Sequence, residues 1–132
     1  MIKQAIIPLA GLGTRLLPLS SVIPKELLPM NGKPSLIYIL DECVDAGIKE
    51  IIFIISKKKE NIKKYFYNDG LFKQTIKKKN DKRVAEEYKK ILKYRKMIKF
   101  VYQNKPAGTG DAVLKTQKFI KDKYFLMLLP DD

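Results

Sequence analysis

Residues Ile51 to Ile55 read IIFII, five apolar residues in succession, four of them β-branched. A strand with one wet face alternates apolar and polar side chains. A run without alternation has to be covered on both faces, which is the situation of a buried strand in a parallel sheet. Three further apolar runs follow the same logic: Gln4 to Ala10 (QAIIPLA), Ile98 to Tyr102 (IKFVY) and Tyr124 to Leu129 (YFLMLL). The segments between them are helical in pattern. From Ser35 to Ala46, Leu36, Ile39, Leu40 and Cys43 recur at three- and four-residue spacing, with Pro34 before the first turn and Gly47 just past the last. Lys57 to Phe66 reads as a short helix, and about Asp111 to Ile120 as another after a loop from Gln103 to Gly110. The lysine-rich stretch Lys73 to Lys96 is loosely periodic and reads as a partly helical surface excursion. Strands alternating with helices predict an α/β fold with a mainly parallel, Rossmann-like sheet flanked by helices. Ligands in such sheets bind beyond the carboxyl ends of the strands, which singles out the loops after Ala10, after Tyr102 and after Leu129.

Composition narrows the chemistry those loops can perform. The 132 residues contain no histidine and one cysteine. That removes serine–histidine triads, histidine general bases, and zinc held by histidines or several thiolates. Lysine, arginine, carboxylates, backbone N–H groups and a hard metal ion remain. Cys43 has no partner for an internal disulfide and falls on the apolar face of its helix. With no apolar run near the ~18 residues of a membrane span, and with Met1 leading straight into the first strand, the expectation is a cytoplasmic chain without a signal peptide. The net charge of +13 raises nucleic-acid binding as a reading. The excess is nearly all lysine, however, and the sole arginines are Arg15, Arg83 and Arg95. Nucleic-acid readers favour arginine's fork, so the triplets Lys57–Lys59 and Lys77–Lys79 are expected to be solvated faces.

The loop after the first run is the richest in chemistry. In Gly11-Leu12-Gly13-Thr14-Arg15, glycines without a Cβ let backbone N–H groups approach an anion closely. Thr14 adds a hydroxyl donor, and the Arg15 guanidinium fits phosphate oxygens. Lys25 follows ten residues later, held by Pro24. The loop is neither the Walker pattern, which needs GK[ST], nor GxGxxG, since position 16 is leucine.

AGLGTRLLPLSSVIPKELLPMNGKP resembles the signature of the sugar-phosphate nucleotidyltransferases, a GxGTRLxP loop followed by a lysine and LxP. The IPKELLP form is similar to the bacterial UTP–glucose-1-phosphate uridylyltransferase branch of that family, as are KRVAEEYKKI and FVYQNKPAGTGDAVL. LLPDD resembles the strand-end aspartate that binds magnesium. The resemblance covers nearly the whole chain and implies the nucleotide-diphospho-sugar transferase fold, broken off after the fourth strand. Residues 1–132 would then be the nucleotide-binding N-terminal part of a domain whose sugar-binding part lies beyond. It implies UTP and glucose 1-phosphate as substrates, Mg²⁺ as cofactor, UDP-glucose and pyrophosphate as products, and a homo-oligomer as one option for a full-length form. By the same resemblance Gly11, Leu12, Gly13 and Thr14 would cradle the triphosphate, with Arg15 on the leaving phosphates and the Ala10 backbone assisting. Lys25 would neutralise charge at the α-phosphorus. Gln103 and Gly108 would read the uracil, Glu26 would stand near the base, and Asp131 would hold Mg²⁺.

Two positions depart from the pattern. Ser20-Ser21 stands where the family commonly shows Thr-Lys, and Asp111 where this branch usually has histidine. A dTTP-using relative, a non-catalytic nucleotide-binding fragment and a basic nucleic-acid-binding module remain as alternative readings.

Overall fold

The computed structural model describes residues 1–11, 14–105, 108–121 and 123–129, without the side chains of Thr14 and Thr109. Four strands form the central sheet: β1 (Gln4–Pro8), β4 (Glu50–Ile55), β5 (Ile98–Tyr102) and β6 (Leu126–Met127). Their spatial order is β5-β4-β1-β6 and every pairing is parallel. Ala5 sits opposite both Ile51 and Leu126, and Ile51 opposite Ile98. The chain therefore winds outward from β1 through β4 to β5 and then crosses to the other side of β1, the doubly wound arrangement whose reversal point opens a crevice at the strand ends.

The uninterrupted apolar runs are explained by two separate cores. On one face Ala5, Ile7, Leu9, Ile51, Phe53 and Ile55 meet helices α1 (Ser35–Asp45), α2 (Glu60–Tyr67) and α4 (Lys82–Met97), which contribute Leu36, Leu40, Cys43, Ile62, Phe66, Ile91 and Tyr94. On the other face Ile6, Ile52 and Ile54 pack with Ala112 of α5 (Gly108–Leu114), beside Val113, Phe119 and Ile120. Neighbouring side chains of one strand thus enter opposite cores. Each fully buried isoleucine contributes about 1.5–3 kcal/mol, so a polar residue anywhere in Ile51–Ile55 would be costly. No helix among the described residues is long and apolar enough to cross a membrane.

Several elements differ from the sequence-based expectation. The lysine-rich excursion is two full helices, α3 (Gly70–Lys79) and α4, and α4 is a core element rather than a surface one. Its start is set by Asp81, whose side chain accepts from the N–H groups of Arg83 (2.9 Å) and Val84 (3.3 Å). The Phe72 and Tyr88 rings, 5.5 Å apart, join it to α3. Helix α5 begins earlier than expected and is shorter. Buried Thr116 turns its hydroxyl onto the Val113 carbonyl (2.6 Å), and the chain leaves in a 3₁₀ turn, Gln117–Phe119. The fourth strand is two residues long among the described residues, pairing with β1 through Ala5 and Ile6. The β2 (Pro29–Met30) and β3 (Lys33–Pro34) hairpin was not anticipated, although its Asn31-Gly32 turn carries a recognisable signal. Both residues have positive φ, 51° and 85°, as a tight hairpin turn requires.

Candidate functional site

Consecutive carbonyls at the carboxyl end of β4 hold two of the loops singled out by the sequence. The Leu9 N–H donates to the Ile54 carbonyl at 2.7 Å, fixing the exit of β1 into Ala10 and Gly11. The Gln103 N–H donates to the Ile55 carbonyl at 2.8 Å, fixing the exit of β5. Successive carbonyls of a strand point to opposite neighbours, so one strand end clamps a loop on each side. The Lys57 N–H then donates to the Asn104 side chain at 3.1 Å, a second tie between the β4 and β5 exits.

The turn carrying Lys25 is held just as firmly. Lys25–Leu27 form a 3₁₀ turn closed by Leu27 N–H to the Pro24 carbonyl (2.9 Å) and Leu28 N–H to the Lys25 carbonyl (3.1 Å). The Ser35 hydroxyl, at the start of α1, donates to the Glu26 carbonyl at 3.2 Å. Underneath, the Lys59 ammonium lies 3.0 and 2.9 Å from the two carboxylate oxygens of Glu26. Glu26 is 3 % exposed and Lys59 6 %, so the pair is desolvated. Lys59 thereby corrects the expectation of a solvated face: Lys57 and Lys58 are exposed, but the third lysine turns inward. A further segment, residues 56–59 after β4, joins the exits of β1 and β5 that the sequence indicated. In it Ser56 is buried, and its hydroxyl has no hydrogen-bond partner among the described residues.

The described ends of the Gly11–Arg15 segment face solvent. Gly11 is exposed with nothing within 4 Å of where a Cβ would stand, and Arg15, in the 3₁₀ turn Thr14–Leu16, is exposed. Open space before a glycine and a cation is what a polyanion needs. Across the β4 end, Gln103 is buried, and its amide nitrogen donates to Asp111 Oδ2 at 2.9 Å and to the Gly108 carbonyl at 3.3 Å. Neither Lys59 nor Asp111 stood out as a site residue in the sequence. Lys59 is 33 residues from Glu26, and no local spacing relates them.

A family model described as nucleotidyl transferase matches residues 4–132. The chain belongs to the nucleotidyl transferase family. It is 44 % identical over 131 residues to the UTP–glucose-1-phosphate uridylyltransferase of Mycoplasma pneumoniae, covering 99 % of this chain and 45 % of that protein. To the Bacillus subtilis uridylyltransferase it is 39 % identical, covering 99 % and 44 %. Among solved structures it resembles a UTP-bound UGPase from Acinetobacter baumannii, with a TM-score of 0.88 and 39 % identity over 99 % of this chain and 46 % of that one. The chain thus spans less than half the length of the curated relatives it matches.

For a nucleotidyl transferase, the strand ends outweigh the cavity of about 950 Å³ between α1, α3, α4 and the hairpin. That cavity is lined by residues such as Lys33, Asp41, Glu87 and Tyr94, and by none of the expected site residues. Of those residues, Ala10 and Gly11 follow the β1 exit held by Ile54, Gln103 follows the β5 exit held by Ile55 with the Gly108 carbonyl against its amide, and Glu26, next to Lys25, is tied to the β4 exit through Lys59. Leu12, Gly13 and Asp131 lie outside the described residues, as does the side chain of Thr14. Among the described residues no three acidic or cysteine side chains group as a metal site. The carboxylates at the strand ends are engaged elsewhere, Glu26 with Lys59 and Asp111 with Gln103.

Proposed function

We propose that this chain is the nucleotide-binding part of a UTP–glucose-1-phosphate uridylyltransferase, with all 132 residues in one nucleotide-binding unit. The observation that carries the reading is the double clamp at the end of β4, which holds the exit to the Gly11–Arg15 loop on one side and Gln103 on the other. A phosphate grip and a base reader at neighbouring strand ends suit a nucleoside triphosphate laid across the sheet edge.

In the proposed reaction a phosphate oxygen of glucose 1-phosphate attacks the α-phosphorus of UTP in line. The bond to the bridging oxygen of the β-phosphate breaks, and pyrophosphate carries away the electron pair. The nucleophile is already an anion, so the step needs no histidine base. Gly11 and its loop hold the triphosphate through backbone N–H groups, and Arg15 meets the charge that grows on the departing phosphates. Lys25, set by its closed turn, offsets charge where the two anionic substrates approach. Gln103 and Gly108 take the imide edge of the uracil. Asp131 would hold Mg²⁺, which would supply further charge neutralisation on the phosphates.

Calorimetric titration of the chain with UTP tests the reading. UTP should bind, and Arg15→Ala and Lys25→Ala should each weaken it about 10-fold or more, the scale of a lost charge-assisted hydrogen bond. Absence of UTP binding, or binding indifferent to both substitutions, would sink it. Competition with dTTP separates the uridylyl from the thymidylyl variant of the reaction.

A further inference from the structure

Gln103 presents a choice that a side-chain amide always presents: which end faces which neighbour. One end lies 2.9 Å from Asp111 Oδ2 and 3.3 Å from the Gly108 carbonyl oxygen. Both neighbours are acceptors. The NH₂ group must occupy that end, because a flipped amide would set its oxygen against two others. Gln103 is 7 % exposed, so little water is at hand to relieve a wrong orientation. The Gly108 contact is long, and the Asp111 carboxylate is the stronger of the two anchors.

From this geometry we infer that Asp111 is a positioning residue that selects uracil over cytosine, by locking the Gln103 amide with its oxygen toward the base. Uracil carries an N3–H donor between two carbonyl oxygens. Cytosine carries a bare N3 acceptor beside an amino group. An amide oxygen fixed toward the base accepts from the N3–H of uracil and opposes the lone pair of cytosine. Without Asp111 the amide can turn over, and its NH₂ can then serve cytosine N3. The inference rests on the proposed base-reading role of Gln103, and it goes further by giving a role to Asp111, an acidic residue that would otherwise just favour the first turn of α5.

The test is calorimetric titration of UTP and CTP against the chain and its Asp111 variants, read as the ratio of the two affinities. Wild type should prefer UTP. Asp111→Ala should shrink the UTP:CTP ratio about 10-fold, the worth of one well-made hydrogen bond at a buried site. Asp111→Glu, which keeps a carboxylate that can only accept from Gln103, should keep the ratio within about 3-fold of wild type. Asp111→Leu, of similar size and without an acceptor, should behave as Asp111→Ala and replaces it if that variant does not fold. A ratio unchanged in both Asp111→Ala and Asp111→Leu, or lost equally in Asp111→Glu, overturns the inference while leaving the base-reading role intact. A wild-type chain that binds UTP and CTP alike overturns both.

Discussion

Lys59 and Glu26, 33 residues apart in sequence, form a buried ion pair in which one ammonium meets both oxygens of one carboxylate, at 3.0 and 2.9 Å. The pair ties the exit of β4 to the turn that carries Lys25. Removing one partner leaves the other charge buried and uncompensated, a loss of about 3–5 kcal/mol. Lys59→Ala and Glu26→Ala should each lower the urea midpoint accordingly, whereas the double substitution Lys59→Met with Glu26→Leu should recover most of the loss. Single variants within about 1 kcal/mol of wild type would show that the pair contributes little.

Tyr102 predicts behaviour at high pH. Its hydroxyl donates to Glu60 at 2.5 Å, and that bond, with partial burial and the Glu60 charge, pushes its pKa from 10.0 up to about 12. A pKa raised on folding means that the neutral phenol favours the native state. The contribution is complete below pH 10, declines between pH 10 and 12, and is gone above it. Tyr102→Phe should therefore be less stable than wild type at pH 9, and the gap should close by pH 12. The difference between the unfolding midpoints of the two proteins at each pH reads the Tyr102 contribution.

Phe53 is fully buried with the Phe66 ring 6.4 Å and the Phe100 ring 5.7 Å away, joining β4 to α2 and β5. Phe53→Ala should destabilise the chain by about 3–5 kcal/mol through lost burial and the cavity left behind. Phe53→Leu should cost clearly less, and equal midpoints for the two variants would contradict this packing.

Magnesium offers a check that does not depend on turnover. UTP affinity should rise when Mg²⁺ is added, and Asp131→Asn should cut that rise about 10-fold, the scale on which changes around a metal alter its affinity. Metal-free UTP affinity should be little changed. A full magnesium effect in the variant would remove Asp131 from the metal site.

The parallel α/β sheet was legible because its signal is local. Ile51–Ile55 has no polar face, and such a strand survives in water only when both sides are covered. The expectation for Gly11 to Arg15 has the same local origin: the features that suit a phosphate, missing Cβ atoms and a planar cation, belong to adjacent residues. The helix α4 was harder. Its periodicity is diluted by lysines whose long stems tolerate either a surface or a partly covered position, so the burial of Ile91 and Tyr94 became apparent once β5 and α2 were in place.

By itself the sequence determined the fold class, the four strands of the sheet, and the chemistry open to a chain without histidine. Tertiary structure decided which side chains support that chemistry. Three consecutive lysines read as one solvated patch, and yet the 3₁₀ turn Lys57–Lys59 sends two outward and buries the third against Glu26. Gln103 read as a base reader, and yet the direction of its amide was settled by Asp111 on the following helix, at 2.9 Å. Both results depend on distances across the sheet edge that no spacing along the chain encodes, because burial makes a hydrogen bond obligatory without saying in advance which partner will supply it.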